Sequence, residues 1–231
     1  MNAVRRKLNS SSGASILMAL LLLLVAVMVS AVILAAAVSA AKTIRTDREQ
    51  QQTYLTVSSA AALVRDSILN GSGNYTTINT ETYAYSDHTG LLDSTSSEFL
   101  ATGNFSSIMN NGIKTLKAQP LFPYSYTCTI QDENKQYEPV TAVFSLTAQN
   151  SEADGQISYL LTVTFTAGSG DHLCKMTLKM DGKTKATPRE YTRSYNKNGW
   201  SYNPAYCIET TTTIDWTQIP PVISRERVTS N

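Results

Sequence analysis

Proton transfer near neutral pH is most readily done by imidazole, and the chain holds two histidines, His88 and His172. His172 follows Gly168-Ser-Gly-Asp171 and His88 sits within Ser86-Asp-His-Thr-Gly90, so both settings read as turns. A Ser–His–Asp relay needs its nucleophile on a sharp Gly-x-Ser-x-Gly elbow, and no such pattern occurs. Phosphate-cradling and dinucleotide glycine motifs are absent too. The acidic residues lack the spacing of a Ca²⁺ loop, and Asp132-Glu133 reads as a solvated turn. These observations predict no enzyme, no cofactor and no metal.

Three cysteines, Cys128, Cys174 and Cys207, lie in strand-like segments without a Cys-x-x-Cys pair, which argues against a zinc site. Two readings stay open: a disulfide with one thiol left over, its pairing unspecified by sequence, or three small buried hydrophobes. A second cluster is aromatic: Tyr191, Tyr195, Tyr202 and Tyr206 surround Trp200. Alternation along a hairpin puts Tyr191, Tyr195, Trp200 and Tyr202 on overlapping faces. They are either cross-strand pairs internal to a sheet or, if exposed, a docking surface.

The elements that carry these residues follow from charge and hydropathy. The net charge is +1, and no Lys/Arg-rich run lies beyond the first seven residues, so a nucleic-acid partner is not expected. Residues 14–41 contain no charge, with Ile16-Leu-Met-Ala-Leu-Leu-Leu-Leu-Leu-Val25 at their centre. A helix crosses the hydrocarbon core of a bilayer in about 20 residues, so this stretch predicts a transmembrane helix with lipid as its partner. Arg5, Arg6 and Lys7 precede it with no acid among them, which predicts a cytoplasmic N-terminus and an extracellular remainder. Val38-Ser39-Ala40 satisfies the small-residue rule for signal cleavage, but the apolar stretch before it is far longer than a signal h-region.

Residues 42–70 contain neither Gly nor Pro. Tyr54, Val57, Ala61, Val64 and Ile68 recur at spacings of three and four, which predicts an amphipathic helix continuing from the membrane span. Asn70-Gly71 is a fitting stop.

The junction Arg5-Arg-Lys-Leu-Asn-Ser-Ser-Ser-Gly13, followed by Ala14-Ser-Ile-Leu-Met-Ala-Leu-Leu-Leu-Leu-Leu-Val25 and the amphipathic continuation, resembles the type IV pilins and pseudopilins. The resemblance covers about the first 70 residues. It implies a basic leader over residues 1–13, cut by a prepilin peptidase between Gly13 and Ala14, with the helix packing against other pilin-like subunits. Major pilins carry a glutamate at the fifth mature position, and that position here is Met18. The departure points to a minor, tip-like or initiating subunit of a type IV pilus or pseudopilus-type assembly. A signal-anchored extracellular binding domain is the main alternative, and a secreted enzyme a third.

Residues 71–119 are rich in Ser, Thr, Asn and Gly and read as loops around a short helix at 96–111. From 120 to 217 the period is two. Tyr124–Ile130, Val140–Ala148, Ile157–Ala167 and His172–Met180 alternate, with turns at Asp154-Gly155, Gly168–Asp171 and Asp181-Gly182. Thr184–Tyr195 and Trp200–Trp216 flank Asn198-Gly199. The expectation is an α+β protein: a long N-terminal membrane-spanning helix, continued as an amphipathic helix packed on an antiparallel head of five or six strands. Residues 218–231 read as a solvated tail.

Overall fold

The computed structural model describes residues 11–134, 137–150, 157–217 and 221–226. The predicted Asp154-Gly155 turn and the basic cluster Arg5, Arg6 and Lys7 lie outside them. The architecture is α+β, with a long N-terminal helix, a second short helix and an antiparallel sheet. The chain forms two compact units, residues 1–51 and 52–231.

Helix α1 spans Ser11–Ser67. In the first unit its apolar side chains from Ile16 to Val38 are all exposed. The hydroxyls there turn back on the helix: Ser30 Oγ donates to the Ala26 carbonyl at 2.8 Å and Thr43 Oγ1 to Ser39 at 3.1 Å. Such internal bonding satisfies these two hydroxyls without water, as suits lipid.

In the second unit α1 buries one stripe, Thr53, Val57, Ala60, Ala61 and Val64, continued by Ile68 just past its end. Tyr54 and Leu55 fall outside the stripe and are 39% and 62% exposed, because each successive residue turns about 100° around the axis. A π-helical turn at Ile68–Ser72 ends the helix, with Gly71 at φ 137°. That is the glycine predicted to stop it, in a conformation other residues avoid.

Eight strands form one antiparallel sheet: β1 Thr76–Tyr83, β2 Leu91–Phe99, β3 Tyr124–Ile130, β4 Val140–Asn150, β5 Ile157–Ala167, β6 Cys174–Lys197, β7 Trp200–Asp215 and β8 Val222–Glu226. Helix α2, Ser106–Ala118, lies between β2 and β3 in sequence. The strand order is β2-β1-β7-β6-β5-β4-β3, with β8 also on β6. β6 changes partners along its length. Its first half, to Lys183, pairs with β5, and Lys175–Lys179 also pair with β8. From Lys183 to Lys197 it pairs with β7. The core lies under the first half, where Phe144, Leu161, Val163, Phe165, Met176, Leu178 and Met180 meet the α1 stripe and Met109, Ile113 and Leu116 of α2.

Three expectations are corrected. The region read as loops contains the β1–β2 hairpin and a helix that starts ten residues later than predicted, at Ser106. Thr and Ser suit a strand whose faces are largely wet, and Gly103 at φ 102° belongs to the approach to α2 rather than its interior. Over 120–217 the five strands β3–β7 form the expected meander, and β1, β2 and β8 bring the described strands to eight. Part of the expected tail, Val222–Glu226, is strand β8. Finally, Asp181-Gly182 is no turn, because β6 runs straight through it. A Cβ on Gly182 would sit 2.9 Å from Ile214 and Trp216, and one on Gly73 would sit 2.7 Å from Trp216. The indole is therefore held between two glycines, with Trp216 Nε1 donating to the Gly73 carbonyl at 2.8 Å. These glycines serve close approach rather than chain reversal.

α2 is tied to the sheet by charge. Lys117 Nζ donates to Thr77 at 2.8 Å and lies 3.5 Å from Glu98, while Lys114 is 3.7 Å from Glu98. The nearby Tyr75 hydroxyl, then Lys117 and Lys114, hold the Glu98 carboxyl below its ordinary range. A depressed folded-state value contributes stability above the unfolded pKa and loses it as pH falls through the folded one.

Two outcomes are expected. Gly182→Ala forces a rigid ring to move and lowers stability by about 1–3 kcal/mol, read from thermal denaturation of the detergent-solubilised chain. Unchanged melting would refute the close-approach role. Glu98→Gln lowers the melting temperature by about 1–3 °C at neutral pH, and the gap closes on acidification. A gap constant with pH would exclude the carboxylate charge as its source.

Candidate functional site

The alternation of β6 sorts its side chains between two faces. Cys174, Met176, Leu178 and Met180 are buried in the core, so odd-numbered residues point to the other side. Every basic residue of the strand is odd-numbered: Lys175, Lys179, Lys183, Lys185, Arg189, Arg193 and Lys197. Acids oppose two of them across the ladder, as Lys183↔Asp215 and Arg189↔Glu209. Lys179, Lys185, Arg193 and Lys197 stand opposite Val222, Thr213, Ala205 and Trp200. In the sequence this row forms no contiguous Lys/Arg run. The even spacing of its residues is the signal.

Toward the hairpin tip the row is interleaved with rings. Asn198 and Gly199 have φ of 51° and 82°, the two positive values of a tight two-residue turn whose twist suits paired strands. Tyr195 pairs with Tyr202 and Lys197 with Trp200, while Tyr191 pairs with Cys207. The four predicted aromatics therefore share the face of the basic row. Trp200 is 73% exposed, and the three tyrosines are half-buried. The Arg189 guanidinium lies 5.9 Å from the Tyr191 ring and that of Arg193 lies 5.2 Å from Tyr195, within cation–π range.

The platform has a floor. Thr82, Ala205 and Cys207 are buried on this face. Arg193 Nη2 donates to Thr82 Oγ1 at 3.0 Å, and Thr82 Oγ1 lies 3.7 Å from Cys207 Sγ. Lys197 Nζ donates to the Leu92 carbonyl. Burial, then Asp93, pushes the Tyr195 phenol up. Near the root of the row, Lys185 borders a cleft of about 390 Å³ that is also lined by Ile68, Tyr75, Thr213, Asp215 and Trp216.

The remaining candidates are dispersed. Gly13 and Ala14 lie in the first turns of α1, and Met18 is exposed. His88 occupies the β1–β2 turn at φ 59°, its ring 5.5 Å from Tyr83. Its neighbour Asp87 accepts bonds from the Thr89 amide and hydroxyl at 3.1 and 2.6 Å, an Asx-type turn. His172 ends the short helical turn Gly170–His172 before β6. Among the described residues no group of His, Cys, Asp and Glu is placed to hold a metal ion.

Cys128 is on β3, Cys174 begins β6 and Cys207 is on β7, and no disulfide joins them. β4 and β5 separate Cys128 from Cys174, about 14 Å at ordinary strand spacing. Cys207 pairs with Tyr191, far along β6 from Cys174. A bridge needs Cα atoms within about 7 Å, so the disulfide expectation gives way to three thiols.

Comparison with protein-family models, curated proteins and solved structures finds no match to this chain. Its own features define a coarser class: among the described residues, one apolar N-terminal helix long enough to cross a membrane, followed by a β-sheet head. That is the form of a membrane-anchored protein, although a signal sequence near an N-terminus is also apolar enough to meet this description.

Burial raises the Cys128 thiol above its ordinary pKa, and Cys174 and Cys207 are buried. A thiol-alkylating reagent is therefore expected to add once to the native chain, at Cys128 and faster as pH rises, and three times after denaturation. Mass spectrometry counts the adducts, and a single adduct after unreduced denaturation would reveal a disulfide.

Proposed function

We propose that the chain is a pilin-like structural subunit, a minor or initiating component of a type IV pilus or pseudopilus-type assembly. One observation carries the reading. An uncharged helical stretch with every described apolar side chain exposed leads into helical sequence whose buried stripe packs on an antiparallel head. Exposed Leu, Val and Ile surfaces need lipid or other apolar helices, and lateral packing with like subunits supplies the second. In this reading the N-terminus is cytoplasmic, the head is extracellular, and prepilin peptidase cuts between Gly13 and Ala14.

Met18 supports a terminal position. A bulk subunit keeps a carboxylate there to meet a neighbour's amine, and a carboxylate in the bilayer is tolerated only where it is used. The same residue supports a second reading, a signal-anchored extracellular binding domain. Neither reading requires catalysis, and no enzymatic role is proposed.

Mass spectrometry of the N-terminal peptide from native membranes tests the proposal. The expected mature chain begins at Ala14, N-methylated, and Gly13→Ala leaves the leader in place. A start at Met1 or Asn2 would favour the anchored domain, and a start at Ala41 would mean a secreted head.

A further inference from the structure

We propose that the outer face of the β6–β7 hairpin binds an extended acidic polysaccharide. The proposal goes beyond the assembly reading and does not depend on it, because it rests on the head's own surface.

Charge and shape argue for a polyanion. Arg189, Arg193 and Lys197 are four residues apart on one face of one strand, or about 13 Å from one to the next. The periodic cations match a polymer carrying anionic groups at intervals better than a single small anion. Arg189 and Arg193 are exposed and present planar, multi-donor groups suited to carboxylates. Their positions are set by the rings beneath them and, for Arg193, by the bond to Thr82, which lowers the entropy lost when a ligand is held. Glu209 opposes Arg189 in register and Asp93 lies beside Tyr195, while Asp181, the acid within the row itself, lies eight residues before Arg189, away from the hairpin tip.

The aromatics decide which polyanion. A single-stranded nucleic acid is held by successive bases stacked on open ring faces. Here guanidinia lie over Tyr191 and Tyr195, leaving Trp200, with Tyr202 beside it, as the open platform at the tip. One exposed indole at the end of a cation row suits a sugar ring seated by its C–H face, with uronate carboxylates running along Arg193 and Arg189.

The test uses the full-length chain in detergent micelles and measures binding to a polyuronate, to neutral dextran and to a single-stranded oligodeoxynucleotide. Saturable polyuronate binding that weakens with salt is expected, with none to dextran. Arg189→Gln with Arg193→Gln weakens it about tenfold, and Arg189→Lys with Arg193→Lys, which keeps charge but loses the fork, weakens it about threefold. Trp200→Ala also weakens it, and this variant removes a side chain outside the core, so it decides the matter should the arginine variants melt early. Thr192→Ala, on the opposite face, leaves binding unchanged. Absence of polyuronate binding, indifference to all three face variants, or tighter binding of the oligodeoxynucleotide would each overturn the proposal, the last by assigning the face to nucleic acid.

Discussion

The alternation of β6 is the constraint from which most of the head follows. Four of its first seven residues, Cys174, Met176, Leu178 and Met180, must leave water. A pleated strand can bury them only by turning every odd-numbered residue to the other side. Because β6 stays in one strand to Lys197, that parity carries unchanged into the half that has left the core. The apolar face and the basic face are two consequences of one hydrophobic requirement, and a slip of one residue would exchange them.

The partner change at Lys183 gives that strand its two tasks. Before it, β6 is an inner strand between β5 and β8, over the packed α1 stripe and α2. After it, β7 pairs one edge, and no described strand pairs the other. Open edges invite pairing with other chains, and Pro188, Lys185, Arg189 and Arg193 are the residue types that discourage it. Trp216 steadies the region around the change: the indole can lie against both Gly182 of β6 and Gly73 after α1 only because neither carries a side chain.

The first unit obeys a different rule. Its apolar residues are not arranged to cover one another, and none from Ile16 to Val38 is buried. For that surface the bilayer takes the place of a core, and hydroxyls returned to the helix backbone suit such a solvent. The same chain thus holds one stretch of helix selected for uniform apolarity and another, from Thr53 to Ile68, selected for a single apolar stripe.

Features that depend on near neighbours in sequence were legible there. The uncharged helix, the stop at Gly71, β3 and β5 at their observed ends and the Asn198-Gly199 turn are set by hydropathy, period and backbone freedom within a few residues. The common face of Tyr191, Tyr195, Trp200 and Tyr202 follows from alternation plus that turn. Tertiary structure decided what depends on distant contacts. Asp181-Gly182 has the composition of a turn, and only the approach of Ile214 and Trp216 shows why the strand continues. β1 and β2 are polar enough to pass for loops until β7 supplies a ladder for β1. The spread of the cysteines across the sheet emerges only from strand order. The basic row stands between the two. Its spacing is written in the sequence, but it becomes one surface only when residues from Cys174 to Lys197 form a single strand, because period two sorts side chains only along an unbroken pleat.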